Sequence, residues 1–283
     1  MPRAERLGRE PADRAPATRG SATIALRARL TPDAGADVLR ISVSGDNRAG
    51  DQRLRVLLRT GVTGARVLAD AAFGTVERVA LQVSDDDAKM ETPPPTAPLH
   101  RYVSLIGASD GVTIFSDGST EYEARSGGEV AVTLVRAVSQ LSRDDLPERP
   151  GHAGWPVHVP EARDAGPFTA AFGVMPHGTR TPATIDAIER AADDVLLPLV
   201  GETVRAALAV PAPTLGVELV GEGLAFSACK PSEDGEWIVL RCVNLTDQTV
   251  EGRWLMDGSV REAREARLDE TPGDVLPMSA GAQ

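Results

Sequence analysis

Hydrophobic and polar residues alternate along many short stretches of this chain. The clearest stretches are 39–43, 54–58 and 130–134, in which every second residue is Leu, Ile or Val. Alternate residues of a strand point to opposite faces, so each stretch predicts a strand with one face in a core. Turns rich in Gly and Asp, such as 45–47 and 126–128, separate these stretches. The pattern predicts an all-β protein built from antiparallel sandwiches.

Four segments depart from this pattern. Residues 238–243 are apolar on both faces, which predicts a strand in the middle of a sandwich. Thr181 and Pro182 form a helix start, apolar residues follow at helical spacing, and Pro198 ends the predicted helix. Residues 260–267 suit a short helix or an edge strand, and the flanking strands favour the edge strand. Residues 85–95 are acidic and then proline-rich, which predicts a stiff surface connection.

Charge and composition exclude several classes of partner. The formal net charge of −11 argues against nucleic acid and against an anionic membrane surface. No apolar run approaches the length of a membrane helix, and residues 1–20 lack the apolar centre of a secretory signal. A cytoplasmic location follows as an expectation. Cys229 and Cys242 are expected to be reduced core thiols, and a cross-strand pair between them stays open.

The histidines do not predict a metal site. Ligand pairs for zinc recur at characteristic short spacings, and none of the four histidines has a partner at such a spacing. His152 and His158 flank Trp155 in a predicted loop, where surface or structural roles are expected. Trp155 is a candidate stacking surface for a sugar, although aromatic residues in loops also serve as plugs.

Two charged groups are candidates for chemistry. Glu121 and Glu123 lie two apart on a predicted strand, which places them on one face about 6.6 Å apart, near the separation that glycosidases use. A solvated strand edge is the plainer interpretation. Arg53 and Arg55 share a face opposite Leu54. They form either an ion-pair ladder with nearby aspartates or a polar wall that lines a cleft.

Eight blocks of sequence resemble, in order and spacing, the C-terminal β region of glycoside hydrolase family 38, the retaining α-mannosidases. The resemblance covers about Ile24 to Glu270. One departure is Gln52, since many relatives have His after the Asp of this loop, and a histidine-dependent contact would be lost here. The blocks are 46–58, 73–78, 117–123, 132–143, 149–154, 172–177, 239–246 and 262–270.

The resemblance implies a large antiparallel supersandwich of the galactose-mutarotase-like kind, with a smaller C-terminal β domain and one short helix. The expected boundaries are a disordered tail at 1–21, the supersandwich at 22–200, further strands at 201–270 that complete the sandwich or form the small domain, and a flexible tail at 271–283. The family's zinc ligands and nucleophile lie mainly N-terminal to this region. We therefore expect no catalytic residue, no metal ligand and no cofactor in this chain, and zinc only in a separate catalytic domain.

The resemblance also implies that this region contacts the catalytic domain and walls the sugar cleft. The leading hypothesis is a stand-alone or split module that is catalytically silent by itself. It would bind an α-mannoside or a catalytic α-mannosidase subunit, and it could form homo-oligomers. The alternatives are a purely structural remnant that binds no sugar, and an enzyme that uses Glu121 and Glu123. Candidate cleft or interface residues are Asp46, Asn47, Asp51, Arg53, Arg55, Glu121, Tyr122 and Trp155.

Overall fold

The computed structural model describes residues 5–6, 23–146, 148–151, 154–198 and 216–279. Strands dominate these residues, which confirms the all-β prediction. The chain divides into two compact units. The first contains Met1–Arg180 and Arg190–Leu197, and the second contains Thr181–Glu189 and Pro198–Gln283.

The first unit contains most of the strands, a short helix α1 (Asp85–Met90) and a 3-10 turn at Pro160–Arg163. Its strands, within the described ranges, are β1 (Glu5–Arg6), β2 (Leu26–Pro32), β3 (Leu39–Asn47), β4 (Gln52–Arg59), β5 (Arg66–Ala71), β6 (Gly74–Glu77), β7 (Ala97–Pro98), β8 (Tyr102–Ile106), β9 (Gly111–Asp117), β10 (Glu121–Arg125), β11 (Glu129–Ala137), β12 (Gln140–Leu141), β13 (Asp145–Leu146), β14 (Arg149–Pro150), β15 (Val157–His158) and β16 (Gly166–His177).

These strands form two main antiparallel sheets. One has seven strands in the order β2-β3-β16-β9-β8-β5-β6, and the other has five in the order β1-β4-β11-β10-β7. One apolar cluster joins the facing sides of both sheets, so the first unit is a sandwich. The smaller pairs β12/β15 and β13/β14 lie outside these sheets. Fully buried members of the cluster include Ala69, Val103, Ile114, Tyr122, Val130 and Val132.

Strand β4 shows why the alternation predicted the fold. Leu54 is 1% exposed and packs with Val135 and Ala137, while the arginines at 53 and 55 point to the other face. The pairing of β11 with β4 shifts register between Thr133 and Val135. This irregularity turns Val135 into the core, so the simple alternation at 130–134 does not continue to the end of the strand.

The predicted helix is confirmed as α2 (Pro182–Leu196). Its residues 182–189 fall in the second unit and 190–196 in the first. The Thr181 hydroxyl accepts the Thr184 amide at 3.2 Å, which satisfies an amide of the first turn. Ile185, Ile188 and Ala192 are buried, as the spacing predicted.

The stiff connection predicted at 85–95 is wrong over its first half, where α1 forms. The Ser84 hydroxyl accepts the Asp87 amide at 3.1 Å. The three aspartates at 85–87 occupy the first turn, where the positive end of the helix dipole stabilises carboxylates. The acidic residues that were predicted to lie in a stiff surface connection therefore form the start of a helix.

The second unit contains short strands that pair two by two among its described residues. Its strands are β17 (Val217–Val220), β18 (Leu224–Pro231), β19 (Ile238–Asn244), β20 (Arg253–Met256), β21 (Arg264–Ala266) and β22 (Pro272–Val275), in the pairs β17/β20, β18/β19 and β21/β22.

Two expectations for this unit are wrong. The 238–243 strand does not lie in the middle of a sheet, because β19 pairs with β18 alone in the described part of the chain and Ile238 is 57% exposed. Cys229 and Cys242 are free and exposed rather than core thiols. Their register partners are Leu240 and Phe226, so the two cysteines do not face each other.

The edge strand favoured within 260–267 is present as β21. The predicted tail at 1–21 lies outside the described residues except for β1, and the predicted tail at 271–283 contains β22. No helix among the described residues has the length and apolar character needed to cross a membrane.

Candidate functional site

The outer face of the five-stranded sheet holds a row of ion pairs, which we call the charge ladder. Glu121 is its centre: Arg136 donates to it at 2.6 Å, the Thr133 hydroxyl donates at 2.6 Å, and Arg53 lies 3.6 Å away. Glu123 pairs with Arg55 and lies 3.8 Å from Arg125. The ladder comprises Arg53, Arg55, Arg59, Glu121, Glu123, Arg125, Glu129, Thr133 and Arg136.

The inner pairs of the ladder are largely withdrawn from solvent, whereas the side chains of Arg125, Arg136 and Arg59 are 39%, 49% and 84% exposed. The side chains of Arg55 and Arg53 are 4% and 18% exposed, and those of Glu123 and Glu121 are 15% and 22% exposed. A charge in such a position is stable only when it is paired and hydrogen-bonded. The ladder therefore fixes the sheet rather than forming an exposed polar wall.

The ladder corrects two expectations. The arginines pair with glutamates of β10 rather than with the nearby aspartates of the 46–51 loop. Glu121 and Glu123 do share a face, as predicted, but arginine and threonine donors occupy their oxygens. A glycosidase pair must flank a substrate bond with one acid and one base or nucleophile. The arrangement around Glu121 and Glu123 does not meet that requirement.

Tyr122 lies on the opposite face of β10 from its two glutamate neighbours. It is 1% exposed and belongs to the apolar cluster between the sheets. Its hydroxyl has no hydrogen-bond partner among the described residues, and burial raises the pKa of Tyr122. The structure places Tyr122 in the core, apart from the other candidate residues.

A second group, which we call the clamp, consists of Asn47, Asp51 and Gln52. The Asn47 amide donates to the carbonyls of Arg163 at 3.2 Å and Asp164 at 2.8 Å. Its oxygen accepts from the Gln52 amide at 2.6 Å. Asn47 and Gln52 are 1% and 3% exposed. The side-chain amide of Gln52 therefore forms a buried hydrogen bond within the protein.

Asp51 connects the clamp to Ser139, which lies between β11 and β12. It adopts a left-handed backbone conformation (φ 50°), which aspartate tolerates better than most residues. Its carboxylate accepts from the Ser139 amide at 2.9 Å and from the Ser139 hydroxyl at 2.7 Å. Burial raises the pKa of Asp51, but the Ser139 hydrogen bonds and the charges of Arg143 and Arg163 outweigh it, so the net pKa lies below the usual value.

Asp46 takes no part in the clamp. Its carboxylate accepts from Arg48 at 2.7 Å, and the two side chains are 45% and 81% exposed. Such a surface pair contributes little to stability.

The clamp holds a small antiparallel ribbon made of β12 and β15. Beside the ribbon, the Val159 amide donates to the Ser139 carbonyl at 2.9 Å, and the Val138 amide donates to the Ala162 carbonyl at 2.7 Å. Leu141 lies opposite Val157 in register. Trp155 precedes this strand and is 90% exposed, so it is not a plug in the core.

The described residues do not fit a zinc ion. They contain no group of three or more His, Cys, Asp or Glu side chains that could hold a metal. His100 bonds to the buried carboxylate of Asp70 at 2.5 Å, and His177 bonds to the Thr113 hydroxyl at 3.0 Å. His158 lies on the ribbon, and His152 lies outside the described residues.

Sequence reasoning missed several partners. Thr133, Arg136 and Ser139 were not singled out, although each completes the contacts of a candidate residue. Arg136 lies opposite Arg53 in register. Two arginines that face each other on neighbouring strands repel unless an acidic side chain lies between them. Once the pairing of β4 with β11 was known, this pair would have indicated an acidic partner, which is Glu121.

Comparison with known proteins relates both units to one family. Residues 16–148 match the family described as "Glycosyl hydrolases family 38 C-terminal domain", and residues 223–280 match the "Glycosyl hydrolases family 38 C-terminal beta sandwich domain". A protein of Halalkalibacterium halodurans that is named a mannosylglycerate hydrolase is 34% identical over 241 residues. That alignment covers 85% of this chain and 25% of the relative.

Two solved structures from Enterococcus faecalis are also similar. An alpha-mannosidase has 28% sequence identity and a TM-score of 0.65, covering 81% of this chain and 24% of the other. A protein in the glycosyl hydrolase family 38 has 24% identity and a TM-score of 0.62, covering 81% and 25%, and it supports the fold alone. The chain spans about a quarter of the length of these relatives.

Replacing Arg55 tests whether the charge ladder stabilises the sheet. Arg55→Met leaves the nearly buried Glu123 carboxylate without its main partner, so we expect the free energy of unfolding to fall by about 3–5 kcal/mol. Arg55→Met combined with Glu123→Met should recover much of this loss, because both charges are removed. Urea unfolding measures the free energy of unfolding of the single variant and of the double variant. Arg48→Met, in the exposed pair with Asp46, is the control, and its free energy of unfolding should change little. If Arg55→Met is as stable as this control, the ladder does not stabilise the sheet.

The lowered pKa of Asp51 predicts how the stability of the protein depends on pH. Since its folded pKa is lowered, its contribution to stability is complete above the unfolded value of about 3.9 and is lost as the pH falls through the lower folded value. Asp51→Asn should therefore destabilise the protein at pH 7, and the difference from the natural chain should shrink on acidification below about pH 4. Denaturant unfolding between pH 2 and 7 measures this difference, with Asp46→Asn as the control. A difference that stays constant over this range would show that the Asp51 charge is not involved.

Proposed function

The chain belongs to the C-terminal region of glycoside hydrolase family 38, and from this premise we propose that it is the non-catalytic β region of an enzyme that hydrolyses α-mannosides. The observation that carries the proposal is the match of two family descriptions, in chain order, to residues 16–148 and 223–280. The charge ladder supports the non-catalytic part, because its carboxylates are engaged within the sheet.

The names of the relatives indicate the substrate class. One is named a mannosylglycerate hydrolase and one an alpha-mannosidase. Both names describe hydrolysis at a mannosyl bond. We infer for the complete enzyme a role in the metabolism of mannose-containing compounds, with α-mannosides as substrates.

The catalytic zinc of the family would be held elsewhere, in the same polypeptide or in a partner subunit. The described residues offer it no ligand set, so no step of catalysis is assigned to them. We assign a structural role to this region. The sandwich and the clamp would form a rigid surface that packs against a catalytic domain and supports it.

Activity assays test this proposal. The full chain should not hydrolyse 4-nitrophenyl α-mannoside or mannosylglycerate, with or without zinc. A chimera in which this chain replaces the matching quarter of the Halalkalibacterium halodurans relative should hydrolyse at least one of them. Turnover by the chain alone that survives repurification and disappears in Glu121→Gln would overturn the non-catalytic assignment. A chimera that folds but is inactive on both substrates would count against the family role.

A further inference from the structure

The two cysteines of the chain lie on one face of the hairpin formed by β18 and β19. Cys229 is directly opposite Leu240 in register, and Cys242 lies two residues beyond Leu240 on β19. Residues directly opposite each other, and residues two apart on one strand, point to the same face of a sheet. Both thiols are free and exposed, and they are diagonal neighbours on that face. We call Cys229 and Cys242 the thiol pair.

The spacing of the thiol pair is wide for a disulfide and suits a bridging ion. Diagonal neighbours in an antiparallel pair have Cα atoms about 7–8 Å apart. Cα atoms joined by a disulfide are usually about 4.4–6.8 Å apart, because the two sulfurs must come within about 2.05 Å of each other. A metal–thiolate bond is about 2.3 Å long for zinc, so an ion between two sulfurs lets them stay up to about 4.6 Å apart.

The surroundings of the thiol pair favour a soft ion over a hard one. The register partners of the two cysteines are Leu240 and Phe226, whose side chains offer no oxygen or nitrogen ligand. Lys230 follows Cys229, so alternation directs it to the opposite face, and its ammonium lies 2.5 Å from the Glu270 carboxylate. Hard ions prefer oxygen ligands, whereas thiolates select soft ions. The thiol face of the hairpin therefore suits a thiophilic ion.

We propose that the thiol pair binds one soft monovalent metal ion of the Cu(I) class, at a site separate from the proposed role in mannoside hydrolysis. Cu(I) accepts two thiolates in a linear arrangement, whereas structural zinc is almost always held by four ligands. The described residues contain no group of three or more ligand side chains, and a two-coordinate ion does not need one. On binding, each thiol releases its proton to solvent, and a lone pair of each sulfur forms the bond to the ion.

Competition with the coloured Cu(I) chelator bicinchoninate tests the proposal on the reduced full chain in the absence of oxygen. The natural chain should take up one Cu(I). Cys229→Ser and Cys242→Ser should each weaken binding by at least about 100-fold, since even the loss of an outer-shell partner typically costs about 10–100-fold. Met90→Leu, which removes another exposed sulfur, is the matched control and should leave the affinity unchanged.

X-ray absorption by the Cu(I)-loaded natural chain gives a readout that does not depend on the folding of a variant. It should show two sulfur neighbours around the ion. Nitrogen neighbours, or binding that survives in both serine variants, would overturn the proposal by placing the ion elsewhere. Half an ion per chain, together with a dimer in ultracentrifugation, would overturn it by showing that the ion joins two molecules. Failure to take up Cu(I) would also overturn it, and an internal disulfide formed with oxidised glutathione would then identify a redox pair.

Discussion

The structure of the first unit depends on strand β4 carrying apolar residues on one face and buried charges on the other. Leu54 is 1% exposed in the core, and the side chain of its neighbour Arg55 is 4% exposed on the opposite face. A shift of one residue in register would move arginines into the apolar cluster and leucines into the charge ladder. Both faces therefore select the same pairing with β11, and the glutamates of β10 are placed by that pairing.

The hydrogen bonds of the clamp also fix residues that lie outside the two main sheets. Asn47 ends β3 and Gln52 begins β4, and their side-chain amides are joined while Asp51 between them binds Ser139. The short loop 48–51 thus connects both sheets of the sandwich to the segment that carries the ribbon. Buried polar groups of this kind are costly unless they are fully hydrogen-bonded, and here they are shared between the loop and the 139–164 segment.

The sequence was sufficient for the elements whose period is clear, such as β4, β11 and α2, because burial of one face enforces the period. It was not sufficient for contacts between residues distant in the chain. Arg55 and Glu123 are 68 positions apart, and only the order β4-β11-β10 brings them together. The apolar composition of 238–243 wrongly predicted a strand in the middle of a sheet. Among the described residues this strand pairs with β18 alone. The structure separates residues that the sequence grouped as candidates: Tyr122 lies in the core, Asp46 lies on the surface, and Trp155 lies two residues before β15.

The charged and polar side chains of the described residues are engaged in contacts within the fold, and we expect this region to bind no catalytic metal. The direct measurement is the melting temperature of the full chain in the presence of zinc and in the presence of a chelator. A ligand that binds only the folded state raises the melting temperature, so an unchanged value is the result that this account predicts. A reproducible rise with zinc that disappears in a His152→Ala, His158→Ala double variant would contradict this account and would assign a metal site to these two histidines.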